Sequence, residues 1–413
     1  MATAGVQSTV RKYQGLTMNK VFLKANREKS LAKRHPWVYS GAVARVEGQV
    51  NNGETVDIYS EKNEFIARAA ISPASQLALR VWSFDPAENI DQKFFERKLF
   101  AAYKLREALD IPRRTSAWRL CSSEGDTLPG VTIDVYNDYA VIQLTSAGAE
   151  FQKENIVAAL QKLRRWDGIY ERSDAAVRKY EKLSPRCGLI AGKLPDELLE
   201  INEDGRKLYV DIQHGHKSGY YCDQRESRTA VQAAAAGKSV LNLFSYTGGF
   251  GVAAALGGAE HVINVDSSAA ALELAAKNFE LNGIEQSKFE NIEADCFSFL
   301  RKCRGEKRKF DLIVLDPPKL VDSMKNMHKG CRAYKDAMLQ AFHLLSEGGM
   351  LFTFSCSGLV TPELFAKIAA DAACDAACDA RIIGSLGQGA DHPVPTAFPE
   401  ARYLKGLQII RCN

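Results

Sequence analysis

The sequence predicts a multidomain α/β protein with a small β-barrel-like module first, an α+β segment in the middle and a doubly wound sheet last. Three observations carry this. The chain has 413 residues, more than one ordinary domain holds. Short strands with alternating apolar residues fill Val21 to about Phe84. After Gly237 the pattern changes to strand and helix in alternation.

Taken in order, residues 1–17 read as a disordered leader, and Met18 offers an alternative start. The first module (18–90) turns at Asn51-Asn52-Gly53 and at Glu61-Lys62-Asn63. Ile90 to Ala108 has helical periodicity and carries the chain into the middle domain, 91–184. There Gly130–Val135 and Tyr139–Leu144 form a hairpin around Asn137-Asp138, followed by a helix over Glu150 to Leu163 and a strand at Gly168-Ile169-Tyr170. Pro185 to Pro195 is rich in proline and glycine, and residues 185–205 read as a linker. In the last domain (206–413) the strands are Ser239–Phe244, His261–Val265, Lys288–Glu293, Phe310–Leu315 and Met350–Phe354. Ala269–Leu281 and Tyr334–Leu345 are among the helices between them.

A hydrophobic fraction of 46% and a charged fraction of 25% are those of a soluble globular protein. A net charge of +4 neither requires nor excludes nucleic acid, so its distribution matters more. Lys20, Lys24, Arg27, Lys29, Lys33 and Arg34 crowd together with few acids among them, as a solvated face or a phosphate-contacting patch. No apolar run approaches the roughly twenty residues of a membrane span, and the first residues lack a secretory apolar core. Ten cysteines without a Cys-x-x-Cys suggest reduced thiols in a cytoplasmic protein, with neither a disulfide framework nor a metal site. Cys374 and Cys378 read as packing residues in an alanine-rich helix.

Two strings carry the chemistry. Val314-Leu315-Asp316-Pro317-Pro318-Lys319 and Phe352-Thr353-Phe354-Ser355-Cys356-Ser357 each begin as a buried strand and end in polar residues. Ligands of open α/β sheets sit beyond the carboxyl ends of the strands. Upstream, Val240 to Phe250 is a strand running through Phe244-Ser245-Tyr246-Thr247-Gly248-Gly249 into a helix. This loop has neither the G-x-G-x-x-G of a dinucleotide site nor the Gly-Lys-Ser/Thr of a P-loop. It suits a phosphate-free linkage such as the sulfonium and methionine of S-adenosylmethionine, or is a structural turn. Asp266-Ser267 ends the next strand, where a ribose would be accepted, and Asp295-Cys296 follows the one after, beside an adenine. Helix capping is the alternative for each acid.

With Gln213-His214-Gly215-His216-Lys217-Ser218-Gly219-Tyr220-Tyr221-Cys222-Asp223-Gln224-Arg225 before them, these strings resemble the bacterial ribosomal RNA large subunit methyltransferase I family. The resemblance runs from about Val21 to the C-terminus and includes Arg34-His35-Pro36-Trp37 and Ser72-Pro73-Ala74-Ser75-Gln76. It implies an N-terminal PUA RNA-binding domain, a central α/β domain, a Rossmann-like methyltransferase domain and a homodimer. It also implies 5-methylcytosine formation in 23S ribosomal RNA. Tyr220, Asp223 and Arg225 are expected to close over the cofactor, and His214 and His216 to lie on its rim. The leader and the Asp-Ala-Ala-Cys repeat fall outside the family pattern.

Carbon 5 of cytosine is a poor nucleophile until a thiolate adds at carbon 6. Cys356 is the one cysteine at a strand end opposite the cofactor loop and is assigned as nucleophile; a small buried core residue is the alternative. Asp316, backed by Pro317 and Pro318, is placed to hydrogen-bond the ring nitrogen, and Lys319 to pair with Asp316 or a phosphate. N-methyltransferases acting on purines carry an aromatic residue after Pro-Pro, where this chain has Lys319. Many carbon-5 RNA methyltransferases keep a second cysteine beside that motif, and none stands here. A non-enzymatic RNA-binding module would leave the cofactor strings idle. Arg172 and Arg178 are candidates for RNA phosphates or for a surface salt-bridge network.

Overall fold

In the computed structural model, residues 18–413 are described, and the expected leader lies outside them. Alternation in the first module places Val21, Val56, Ile58, Ala69 and Leu79 in one buried core under a six-stranded sheet. Lys20–Leu23 pairs antiparallel with Val43–Glu47 and parallel with Thr55–Tyr59. The Asn51-Asn52-Gly53 turn needs its glycine twice. Gly53 has φ +86°, and a Cβ there would stand 2.1 Å from the carbonyl oxygen of Ala147 in the next domain. The two domains therefore touch through backbone.

The middle domain opens with a helix, Gln92–Ala108, whose first turn is capped by Asp91 accepting from Phe94 N at 3.0 Å. It packs beside a five-stranded sheet over Phe94, Phe95, Leu99, Trp118 and Ile133. The expected helix over Glu150–Leu163 is two helices, Ala147–Phe151 and Lys153–Leu163. The expected linker is corrected. Arg186–Gly192 pairs antiparallel with Gly168–Ser173 as the edge strand of this sheet, and Leu199–Glu203 forms a hairpin with Arg206–Val210. Gly192, at φ +75°, lets the chain leave that edge.

The last domain is built on a seven-stranded sheet. Numbering its strands alone, β1 is Ser239–Leu243, β2 His261–Asp266, β3 Phe289–Glu293, β4 Phe310–Leu315, β5 Leu345–Ser355, β6 Ala380–Gly387 and β7 Lys405–Arg411. Their order is β3-β2-β1-β4-β5-β7-β6, parallel except for β7, which runs antiparallel to both neighbours. The continuous apolar runs of β1, β4 and β5 are those of strands buried on both faces. The chain reverses direction across the sheet between β1 and β4, so a crevice opens above their carboxyl ends. Cys374 lies exposed on the helix Pro362–Asp375; Cys378 falls beyond its end rather than on it. No helix of the described residues is long and apolar enough to cross a membrane.

Candidate active site

β1 ends in a loop whose backbone is held far from ordinary geometry. Phe244 and Tyr246 have φ of 59° and 48°, unusual for bulky residues, and Gly248 follows at 76° before the helix Gly249–Leu256. Neighbours fix this shape. Phe244 N donates to Cys296 Sγ at 3.2 Å, and Tyr246 N donates to Asp266 Oδ2 at 2.8 Å. The Tyr246 ring stacks on His216 with centroids 4.6 Å apart, and its hydroxyl accepts from His216 N at 2.8 Å. Asp266, at the end of β2, also accepts from Ser268 N. Each of its oxygens keeps a lone pair for a ribose hydroxyl.

Opposite the loop stands the segment 211–224. His214 and His216 lie in turns there, not on a strand; His216 reaches the crevice and His214 is exposed. Tyr220, Tyr221, Asp223 and Gln224 complete this wall. Arg228 lies over the Tyr220 ring at 4.5 Å and is held by Glu203 through hydrogen bonds of 2.7 and 2.6 Å. Tyr403, from the far side of the sheet, donates to Asp223 Oδ2 at 2.6 Å.

β4 and β5 bring the two chemical strings together. Asp316, Pro317, Pro318, Lys319 and Cys356 line one cavity of about 510 Å³ with Phe244, Ser245, Tyr246, Thr247, Gly249, Asp266 and Ser267. That is a volume for a small-molecule site. Gln224 Nε2 donates to Asp316 Oδ2 at 3.0 Å. Burial, and then the nearby Asp223 carboxylate, push the Asp316 carboxyl up to about 7. Burial also pushes the Cys356 thiol up, with Lys217 opposing and Asp316 and Asp223 adding.

The cavity asks for a polar ligand. Tyr220 OH, Asp223 Oδ1, Gln224 Oε1 and Ser245 Oγ are buried on its walls without hydrogen-bond partners. Carboxylates beside the aromatic rings of Tyr246 and Phe250 make a lining that would fit a sulfonium nucleoside.

Several expected residues lie elsewhere. Arg225 is fully buried and turned to Asp391, with hydrogen bonds of 2.9 and 3.1 Å, so it does not close over the cavity. Arg178 is 1% exposed and spends its guanidinium on Leu144 O, Ser184 O and Glu150; it is not free for a phosphate. Arg172 is buried too, donating to Ile212 O and Gly215 O, so it fastens the 211–219 turns rather than RNA. Asp295 caps the helix Cys296–Gly305 by accepting from Ser298 N at 2.9 Å, and Cys296 props the loop from behind. Gln224, Arg228, Lys217, Tyr403 and Leu404 join the cavity without having been singled out as site residues. Gln224 and Lys217 stood inside the quoted 213–225 string. Tyr403 and Leu404 follow a long connection and carry no local motif.

The family model for S-adenosylmethionine-dependent methyltransferase matches residues 152–387, and that for a PUA-like domain matches 21–84. Ribosomal RNA large subunit methyltransferase I of Shigella boydii serotype 4 is 52% identical over 388 residues, covering 94% of this chain and 98% of the relative. That of Escherichia coli O139:H28 is 51% identical over the same shares. The chain belongs to this methyltransferase family. The methyltransferase also shares its fold with a solved Streptococcus mutans protein, at TM-score 0.82 and 25% identity, covering 95% of this chain and 99% of that one. A second structure, solved in complex with SAH, superposes at TM-score 0.83 with 24% identity, over 95% and 99% of the two chains.

Proposed function

We propose that this S-adenosylmethionine-dependent methyltransferase methylates carbon 5 of a cytosine in 23S ribosomal RNA through a covalent Cys356 adduct. The observation that carries the reading is the meeting of Cys356, Asp316 and the cofactor loop in one cavity. The relatives' name supplies the large-subunit RNA, and the PUA-like domain supports an RNA partner.

When bound, the cofactor supplies an electrophilic methyl group. The Cys356 thiolate adds to carbon 6, and the ring's electron pair moves onto carbon 5 as Asp316 donates its proton toward the ring nitrogen. A carboxyl raised to about 7 still carries a proton near neutral pH, which fits that task. Carbon 5 takes the methyl group as the methyl–sulfonium bond breaks to leave a thioether, and the ring nitrogen returns its proton to Asp316. The hydrogen on carbon 5 then leaves as a proton to a base, the electron pair re-forms the carbon 5–carbon 6 double bond, and the thiolate departs. Pro317 and Pro318 stiffen the turn that aims Asp316. Lys319, on the cavity rim, stands where an N-methyltransferase of purines would stack an aromatic ring.

Cys356→Ala is expected to abolish methyl transfer, by at least about 1000-fold, while S-adenosylmethionine still binds by calorimetry. RNA carrying 5-fluorocytosine should trap an adduct on the Cys356 peptide, because fluorine cannot leave as a proton. Appreciable turnover by the alanine variant would overturn the nucleophile. Mass mapping of ribosomal RNA from cells with and without the gene should show one 5-methylcytosine lost. Loss of a methylated purine would transfer the reading to N-methylation.

A further inference from the structure

β7 places a lysine where the cysteine chemistry needs one. Lys405 pairs across the antiparallel ladder with Ser355, the residue before Cys356. It is 6% exposed, and its ammonium donates to Ser357 O at 2.6 Å and Tyr403 O at 2.7 Å. Of these acceptors, Ser357 directly follows Cys356, and Tyr403 lines the same cavity as Cys356. Two acceptors leave one of its three N–H donors unspent. Among the described residues no carboxylate pairs with it, whereas buried cations are ordinarily paired. The charged groups that bear on it are Cys356 and Lys319. Those that bear on Cys356 are Lys217, which favours the thiolate, and Asp316 and Asp223, which oppose it; Tyr221 lines the same cavity.

We propose that Lys405 is a positioning residue for the covalent step, its ammonium clamping the end of β5 and balancing the charge of the Cys356 thiolate. The arrangement works at both ends of the reaction. A thiolate formed on a half-buried wall that it shares with Asp223 and Asp316 is favoured by a cation fixed in the protein. Lys217 is 44% exposed and engaged with Asp223 at 3.5 Å, so it serves the cofactor side. Lys405 is fixed in the sheet. When the adduct collapses, the same cation receives the returning thiolate as carbon 6 releases it, and no external co-reactant is required. Burial lowers the Lys405 ammonium to about 8, with Cys356 opposing and Lys319 adding, so it remains charged at neutral pH. Lys405 lies beyond the span matched by the methyltransferase family model, which ends at residue 387.

This inference rests on Cys356 as nucleophile, but its test does not. In the full-length protein, the rate of iodoacetamide alkylation of the Cys356 peptide, followed by mass spectrometry against pH, reads the thiolate directly. Lys405→Gln keeps amide donors for the two carbonyls and removes the charge. It should slow Cys356 alkylation at pH 7.5, where the Lys405 ammonium is still largely charged, about tenfold. Lys405→Arg should restore most of the rate. Cys374, exposed and remote, gives an internal reference that must not change. An unchanged Cys356 alkylation rate at pH 7.5 in the folded Gln variant, with only a lower melting temperature, would reduce Lys405 to a structural clamp and overturn the proposal. If 5-fluorocytosine trapping fails while the slower alkylation holds, the nucleophile assignment falls and the Lys405–Cys356 coupling stands.

Discussion

Asp223 and Asp316, lining one cavity, are driven in opposite directions, and that divergence is what separate roles would require. Burial opposes ionisation of Asp223, but the Lys217 ammonium and the Tyr403 hydroxyl hold it well below the usual carboxylate range. It stays charged. Asp316 has only Gln224 and distant cations to favour its charge, so burial and the Asp223 carboxylate raise it from 3.8 to about 7. The consequence for rate can be worked through. Through the proposed Cys356 adduct, methyl transfer would need protonated Asp316 and ionised Cys356 together. As pH rises toward 7 the thiolate fraction climbs while Asp316 keeps its proton; above 7 the gain in one is cancelled by loss of the other. The single-turnover rate should therefore rise about tenfold per pH unit and level off near pH 7. In Asp316→Asn the amide still donates, the rate is lower, and the rise should continue past pH 8. A plateau unchanged by this substitution would remove Asp316 from proton donation. Stability follows the same sign. A carboxyl whose folded value is raised adds stability that is complete below its unfolded value of 3.8 and lost as pH rises through about 7. Asp316→Asn should thus stabilise the protein by up to about 4 kcal/mol at pH 8, and by about 1–2 kcal/mol at pH 5, in chemical denaturation.

The connection between β6 and β7, residues 388–404, joins all three domains. Phe398 is buried against Trp37 and His35 of the PUA-like domain, with ring centroids 4.6 and 5.3 Å away. Asp391 is fully buried, accepting from Arg225 and from Arg119 N, while its own carbonyl accepts from Arg106 at 2.6 Å. Burial opposes its charge, yet His392 and Arg225 hold the carboxyl well below the usual range. Its stabilising effect is present above pH ~4 and lost as pH falls further. Asp391→Ala would leave Arg225 buried without its carboxylate. A loss of about 3–5 kcal/mol at pH 7 is expected by chemical denaturation, with faster proteolysis between domains. A loss below 1 kcal/mol would show that water repairs the site. This element was also the least legible part of the sequence. β1, β4 and β5 announced themselves as continuous apolar runs, and the helix Ala269–Leu281 was bounded by Ser268 at its N-cap. β6 alternates mostly exposed residues at a sheet edge, and β7 gains its place only by pairing antiparallel with β5. Arg225, Arg172 and Arg178 read as ligand-facing because sequence gives charge without direction. Their partners lie 166, 40 and 34 residues away.

Charge over the whole molecule is nearly balanced, but the candidates for RNA divide cleanly by exposure. Lys24, Arg27, Lys29, Lys33 and Arg34 are all exposed on the PUA-like domain, and none is paired with a carboxylate among the described residues. Tyr39, 56% exposed, stands near them with a face for stacking. Arg34 lies over the Phe84 ring and borders a cavity of about 480 Å³ that also takes Lys98 from the middle domain and Phe398 from the catalytic one. An RNA lying on this face would meet all three domains at once. Phosphate contacts release counterions, so each one adds to the salt dependence of binding without regard to sequence. Removing Lys33 and Arg34 together should lower the slope of log affinity against log salt by about 2, and should weaken target and unrelated RNA alike. Single-turnover methylation at saturating RNA should not fall, because neither residue touches the cavity of Asp316 and Cys356. Arg178→Ala is the contrasting variant. It removes a buried guanidinium from Leu144 O, Ser184 O and Glu150, so it should lower stability and leave the salt slope alone. Fluorescence titration of an RNA fragment between about 50 and 200 mM salt separates the two. Equal slopes for wild type and the Lys33/Arg34 variant would move the RNA path off this face.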